Sequence, residues 1–447
     1  MRSKREQKPL NSSRLLAVGF AAMILLGACV LALPAASSSD RGIGFMNALF
    51  TATSSVCVTG LSVIDVSRAL SRFGQTVQLL LIQMGGLGFM VFGTFFFAVI
   101  GRRITLRGQL LLSESMNAPN LSGLMRLIYW VLGLTLGIEL AGATLLAIRF
   151  VPEYGWGEGA FMSLYHAISA FCNAGFDLFG SSLVGRADDP LVLFTLMALI
   201  TLGGLGFALM ADVLSNGRFS RLSVHTRLVL AVSAVLTATG CLLTLLLEWR
   251  NPGTLGAMPP ARRLMNALFQ SVTLRTAGFA SFSQAALRPA TKVVSMIYMF
   301  IGAAPASTGG GVKLTTVSVL VLMAVSVARG QEETTVFHHT VPRGTVQRAM
   351  TVVLIALAIV LADVVALALI EPGLDFINVM YEAVSAFGTA GLSCDLTPRL
   401  SAAGRSLIIA TMFAGRVGPL TLALAIARRQ SRGGSSIHYP SADIMIG

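Results

Sequence analysis

Apolar residues gather into eight long runs, at about 14–34, 76–100, 124–150, 190–213, 226–249, 292–327, 348–370 and 405–427. At 1.5 Å of rise per residue, about 20 helical residues cross a hydrocarbon core of roughly 30 Å. The pattern therefore predicts eight membrane spans. The first run has the basic flank of a cleavable leader, with Pro34, Ala35, Ala36 and Ser37 after it. It is read as a span because it plays the same part as later runs in the repeat described next.

Between paired spans lie four shorter segments that align without gaps: SSVCVTGL (54–61), SAFCNAGF (169–176), VTLRTAGF (272–279) and SAFGTAGL (385–392). Each carries a glycine at the seventh place: Gly60, Gly175, Gly278 and Gly391. A second landmark follows 24 to 28 residues on, at Gly85 in QMGGLGF, Gly203 in TLGGLGF, Gly302 in FIGAAPAS and Gly415 in FAGRVGP. Recurrence at quasi-regular spacing marks an internal repeat. The chain reads as an all-α membrane protein with four copies of helix, re-entrant segment, helix, over 14–100, 101–213, 214–329 and 330–427. Tails over 1–13 and 428–447 flank them.

Each re-entrant segment opens with about a dozen residues of helical character, at 45–56, 159–171, 262–273 and 376–387, too few to cross a bilayer. A helix that stops at membrane depth and continues as irregular chain is tolerated only where it is buried in protein or lines water. Four such segments around one axis predict a pore. The helix C-termini carry partial negative charge, and the carbonyls after them can replace the hydration shell of a cation. Glycine suits the turn because inward-pointing successive carbonyls require positive φ, which costs a Cβ-bearing residue roughly 1 kcal/mol or more.

Two features break the repeat. The second span of the third copy is interrupted by Gly302-Ala-Ala-Pro-Ala-Ser-Thr-Gly-Gly-Gly311, where Pro305 removes a donor and three glycines abolish helix propensity. It is the one second span broken by a glycine run, and irregular backbone there must line a cavity. Arg416 sits in an otherwise uncharged span, where a cation costs about 2.5–3.5 kcal/mol unless it faces a cavity or a partner.

Composition excludes a soluble protein. Charged residues make up 12% of the chain, against about 25% in soluble domains, and mean hydropathy is +0.76. The net charge of +13 would suggest nucleic acid in a soluble chain. Assigned to alternating loops from an inside N-terminus, 18 basic residues face six acidic ones inside, and 12 face 12 outside. The positive-inside rule puts both termini in the cytoplasm, with anionic lipid rather than nucleic acid as the charge's partner. Five cysteines without C-x-x-C spacing read as reduced packing residues. Ser54, Ser169 and Ser385 recur without a His or Asp and HExxH is absent, so no enzyme is indicated.

These residues resemble the Trk/Ktr/HKT superfamily of potassium transporters, and most closely its KtrB-like members. The resemblance runs from Leu15 to Gly447 and rests on one glycine per segment, RTAGF in the third, STGGGVK after it and AGRVG in the fourth. The chain starts directly with the first repeat, as KtrB-like chains do. The resemblance implies one pseudo-fourfold ion pore per protomer, a homodimer with the C-terminal tail at its interface, and a cytoplasmic KtrA-like or TrkA-like regulatory ring. That ring binds ATP/ADP or NAD(H). No covalent cofactor is implied. The transported ion is K+, with Na+ as a possible activating or coupling ion.

The implied filter residues are Val58, Thr59 and Gly60; Asn173, Ala174 and Gly175; Thr276, Ala277 and Gly278; and Thr389, Ala390 and Gly391. Gly60 favours K+, since sodium-selective plant members have serine there. Asn173 departs from the Thr or Ser expected at its place and makes the fourfold equivalence approximate. Residues 302–313 become a loop that blocks the ion path when closed, carrying Gly302, Pro305, Ser307, Thr308, Gly309, Gly310, Gly311 and Lys313, with Arg416 beneath the filter. Arg275 is read as a brace for the filter, pairing with Glu382 or Asp395. Glu139 and Asp363 lie within first spans and read as helix contacts. His338 and His339, with Glu332 and Glu333, read as a solvated docking surface. The alternatives are a Na+-permeable or Na+-coupled transporter of the same fold, or a secondary carrier built on inverted repeats.

Overall fold

A computed structural model of the chain describes residues 12–88 and 124–418. The 101–123 loop and the 428–447 tail, with the expected dimer interface, lie outside the described residues.

Fourteen helices are labelled here. In the first quarter are α1 (Ser12–Leu31), α2 (Phe45–Val56) and α3 (Arg72–Leu87). Next come α4 (Leu124–Tyr154), α5 (Trp156–Phe171), α6 (Pro190–Leu205) and α7 (Phe207–Asn216). The third group is α8 (Val224–Glu248), α9 (Pro260–Thr273), α10 (Pro289–Phe300) and α11 (Leu314–Ala328). The last is α12 (Arg343–Ile370), α13 (Phe376–Gly388) and α14 (Ala402–Val417). Local sequence fixes the helix starts. Ser71, Asp189, Ser223 and Ser401 accept backbone N–H bonds as N-caps of α3, α6, α8 and α14. Pro190, Pro260 and Pro289 stand in first turns, where no N–H is needed.

Three described helices are long and apolar enough to cross a membrane by themselves: Tyr129–Tyr154, Val224–Glu248 and Arg343–Ile370. These belong to the first spans of the last three copies. The second spans behave differently. α6 and α7 bend by 96° at Gly206. α3 and α14 end at Gly88 and Gly418, with φ of 84° and 93°, close to the 90° of Gly206. α10 stops at Phe300, just before the 301–313 loop. Gly88, Gly206, Pro305 and Gly418 each lie three residues after the second landmark glycine. The described helix therefore ends at one register in the first, second and fourth copies, and four residues earlier in the third, at Phe300, ahead of the glycine run. A lone glycine in GGLG reads as helix packing, which hides its role as a helix end.

The four short helices interlock in a circle. α2 packs on α1 and α3, and also on α14 from the far end of the chain. α5 packs on α4, α6 and α3; α9 on α8 and α6; α13 on α12, α14 and α10. Each short helix thus touches the second helix of the preceding copy. Glycines allow the closest approaches: a Cβ at Gly85, Gly203 or Gly415 would run into the carbonyl oxygen of Val56, Phe171 or Phe387, the end of the neighbouring short helix.

A two-stranded hairpin, Thr335–Val336 paired with His339–Thr340, occupies the loop before α12. It leaves His339 exposed, with Phe337 and His338 at positive φ in its turn. Four of the five cysteines are buried, whereas Cys29 is exposed.

Candidate functional site

The short helices α2, α5, α9 and α13 all end inside the glycine-containing segments, three to five residues before the glycine. In each segment the residue two places before the glycine has positive φ: Val58 at 55°, Asn173 at 59°, Thr276 at 70° and Thr389 at 50°. The glycines follow at 99°, 69°, 79° and 76°. Val58, Thr276 and Thr389 are β-branched, for which this region is strained. The same backbone course appears four times, Asn173 included.

The strain is held by short-range hydrogen bonds. The N–H groups of Thr59, Ala174 and Ala390 donate to the carbonyls of Ser54, Ser169 and Ser385 at 2.7–2.8 Å, and Ala277 donates to Thr273 at 3.0 Å. Ser54 Oγ accepts from Gly60 N at 3.1 Å, Ser169 Oγ from Phe176 N at 3.0 Å, and Thr273 Oγ1 donates to Phe279 O at 2.6 Å. The serine six residues before the glycine was the sequence signal for this brace in the first two segments, at Ser54 and Ser169; the third uses Thr273, and the Ser385 hydroxyl has no partner among the described residues.

The four segments meet. A Cβ added to Gly60 would lie 2.7 Å from Ala174 O, and one on Gly175 2.7 Å from Ala277 O. A Cβ on Gly278 would lie 3.3 Å from both Ala390 O and Thr59 O, and one on Gly391 would strike Thr59 O. The carbonyls of Thr59, Ala174, Ala277 and Ala390 therefore converge around the glycines, at the C-terminal ends of four helices. Such a ring is suited to a desolvated cation.

Beneath it lies the 301–313 loop. Gly302 N donates to Val312 O at 2.8 Å and Leu314 N to Ala303 O at 3.2 Å, closing the loop on itself. It is tied to the second copy by Ala304 N to Gly204 O (3.1 Å) and Phe207 N to Ala306 O (3.1 Å). Thr308 Oγ1 donates to Phe171 O at 3.2 Å, and Gly310 N donates to Thr389 Oγ1 at 3.0 Å. Side chains at Gly309 and Gly310 would collide with Thr276 and Thr389. The glycine run lets the loop lie directly against those two threonines. Lys313 Nζ donates to Gly309 O at 2.7 Å, and Ser307 Oγ to Ala304 O at 2.5 Å.

Arg416 joins this loop to the first copy. Its Nη1 donates to Thr308 O and its Nη2 to Gly85 O, with Gly86 O 3.3 Å away. The acceptors in α3 are carbonyls of its last turn, which a cation satisfies well. Gly86, Gly204 and Ala303 hold the corresponding place in the other copies, so only the fourth has a side chain long enough to cross.

A scan against family profiles matches residues 22–433 to the family described as TrkH: Cation transport protein. The chain belongs to this family. It is 41% identical to the Ktr system potassium uptake protein B of Bacillus subtilis, over 97% of this chain and 96% of that one. It is 37% identical to the potassium/sodium uptake protein NtpJ of Enterococcus hirae, over 99% of both. Its fold matches the crystal structure of the potassium transporter TrkH from Vibrio parahaemolyticus with a TM-score of 0.74 and 18% identity, covering 96% of this chain and 87% of that one. It is a membrane transport protein, not an enzyme.

In this TrkH-family chain the expected pairing of Arg275 with Glu382 or Asp395 is absent. Arg275 donates to Ser233 Oγ (3.0 Å) and Ser233 O (3.4 Å) on α8. Glu382 accepts from Ser393 Oγ at 2.8 Å and from Thr397 Oγ1, both beyond the filter segment. The reason is direction: Arg275, just before Thr276, runs outward to α8, while Glu382 reaches along the chain that leaves Gly391. Glu382 still braces its own segment. His166, the same nine residues before its glycine, does likewise, accepting from Leu178 N at 3.3 Å. Asn173 ties its segment to α6. With both amide atoms satisfied, its nitrogen donates to Ala170 O (3.0 Å) and Ile200 O (3.1 Å), and the other end of the amide lies 3.3 Å from Thr276 Oγ1. Glu139 and Asp363 contact neighbouring helices, accepting from Gln83 and Thr411.

Proposed function

We propose that this chain is the K+-translocating, channel-like subunit of a potassium uptake system. Its four copies surround one pseudo-fourfold pore, and K+ is selected by the converging carbonyls of Thr59, Ala174, Ala277 and Ala390 with Gly60, Gly175, Gly278 and Gly391. The reading is carried by one observation: four strained, glycine-containing turns meet at the ends of four inward-running helices. The 302–313 loop then acts as the gate. It lies against Thr276 and Thr389 from below and is held by Arg416, whose positive charge beside the ion path also raises the barrier to a cation. Arg275 and Glu382 support the filter, each through its own partners.

By analogy with the Ktr-type relatives, the subunit works as a homodimer with both termini cytoplasmic. A cytoplasmic nucleotide-binding ring of KtrA or TrkA type controls it, and its basic inner loops face anionic lipid. A Na+-permeable or Na+-coupled variant is the second reading, favoured by the likeness to NtpJ. A carrier with broken helices in two corresponding halves fits less well, because the second helix ends near its landmark glycine in all four copies, around a shared ring.

The deciding experiment is K+, Rb+ and Na+ uptake in K+-uptake-deficient cells, with Gly60→Ser alongside. Rescue by the wild-type chain in K+, and a loss of K+ over Na+ preference in Gly60→Ser, are expected. Uptake of Na+ alone, or unchanged selectivity in Gly60→Ser, would overturn the filter assignment.

A further inference from the structure

Glu139 is a carboxyl group with 1% exposure inside the helix bundle, and none of the ion pairs among the described residues includes it. A buried acid without a cationic partner is costly, so its hydrogen bonds matter. Both carboxyl oxygens lie 3.0 Å from Gln83 Nε2. The other end of that amide is also engaged, since Cys172 Sγ lies 3.6 Å from Gln83 Oε1 and 3.9 Å from Glu139 Oε1. Gln83 is thus fixed at both ends, between α4 and the residue that precedes Asn173 in the second filter segment.

Gln83 stands in the last turn of α3, two residues before Gly85. The carbonyls of Gly85 and Gly86 are the ones that receive Arg416, which also holds Thr308 of the loop. Cys172 adds a second constraint on this turn, because a Cβ on Gly86 would lie 2.7 Å from its sulfur. The turn that anchors Arg416 is therefore located from α4 by Glu139 through Gln83, and from the second segment by Cys172.

We infer that Glu139 and Gln83 are positioning residues for the gate, setting where the α3 carbonyls hold Arg416 and hence how firmly the 302–313 loop is kept under the filter. They touch no ion, and Glu139 works through its hydrogen bond to Gln83. The inference rests on the gate reading above, and its test separates the two.

The full-length protein in K+-uptake-deficient cells is assayed with Rb+ as the probe. Gln83→Leu combined with Glu139→Leu removes the link and leaves only the weak thiol donor of Cys172 without its acceptors. It is expected to raise the maximal uptake rate about two- to tenfold, the size that coupled residues carry, with KM moving less than about twofold. Glu139→Gln, which keeps an acceptor for Gln83, stays within about twofold of wild type. In an Arg416→Ala background the apolar pair changes the rate less than about twofold, because its route to the loop is already cut. An unchanged rate in the apolar pair, an equal rise with and without Arg416, an effect on KM alone, or a Glu139→Gln variant as fast as the apolar pair would each overturn the inference while leaving the gate intact. A wild-type rate in Arg416→Ala by itself would bring down the gate reading and this inference with it. Size-exclusion profiles of each purified variant separate altered rates from misfolding.

Discussion

Arg416 Nη2 lies 3.3 Å from the carbonyl oxygen of Gly86, the residue that occupies its own place in the first copy of the repeat. The fourth copy thus reaches across to its counterpart and holds the intervening loop through Thr308 on the way. Two acceptors from separate elements need the spread donors of a guanidinium. Arg416→Ala is expected to raise maximal Rb+ uptake, since it removes both the link and the charge. Arg416→Lys restores the charge but serves one element at a time. It should fall between wild type and alanine. A lysine variant indistinguishable from wild type would assign the effect to charge alone.

Thr389 and Val58 show that a hydroxyl is dispensable for the positive-φ turn and useful for the loop. Both residues take φ near 50°, at 50° and 55°, yet only Thr389 accepts a hydrogen bond from Gly310 N. Thr389→Val keeps the shape of the turn and leaves that N–H without its partner, at a cost of about 1–3 kcal/mol to the docked loop. The expected result is faster Rb+ uptake with the K+ to Na+ ratio unchanged. A collapse of selectivity would mean that Thr389 serves the ion directly.

Asn173 leads to the opposite expectation. Its amide nitrogen is turned to Ala170 and Ile200, the other end of the amide meets the side chain of Thr276 rather than a carbonyl of the ring, and its backbone follows the common course. Asn173→Ser should leave the selectivity ratio within about twofold and lower stability by about 1–3 kcal/mol, as the amide's bonds to the Ala170 and Ile200 carbonyls are lost. Ion-selective uptake and the melting temperature of the detergent-solubilised protein read the two effects separately. A change in selectivity at unchanged stability would restore a direct role for the amide.

The glycines of the four turns were legible because a backbone requirement leaves a direct mark: Gly60, Gly175, Gly278 and Gly391 all sit at positive φ. Arg416 was legible as a lone charge in an apolar run, since so few polar residues occupy such depths. Its acceptors were not, because Gly85 and Thr308 contribute only backbone carbonyls, which no side-chain pattern reports. The same limit hid the helix ends at Gly88, Gly206 and Gly418, whose register emerges only when they are set against Pro305. The mistaken partner of Arg275 has another cause. Charge suggested a carboxylate, but Ser233, 42 residues away on α8, supplies the contact with a hydroxyl and a carbonyl.

The separate partners of Arg275 and Glu382 make a measurable prediction. Glu382 is fully buried and fastens the chain after Gly391 by accepting from Ser393 and Thr397, so Glu382→Ala takes from both hydroxyls the acceptor they share. A loss of about 1–3 kcal/mol is expected, with a lower K+ to Na+ ratio as the fourth segment loosens. Arg275→Ala removes contacts to α8 and acts on the third segment. Because the two share no partner, their effects on the free energy of unfolding should add to within about 0.5 kcal/mol. Melting of the wild type, both single variants and the double variant in the same detergent and K+ concentration completes the cycle. A coupling well above that limit would mean that the arginine and the carboxylate act as one unit after all.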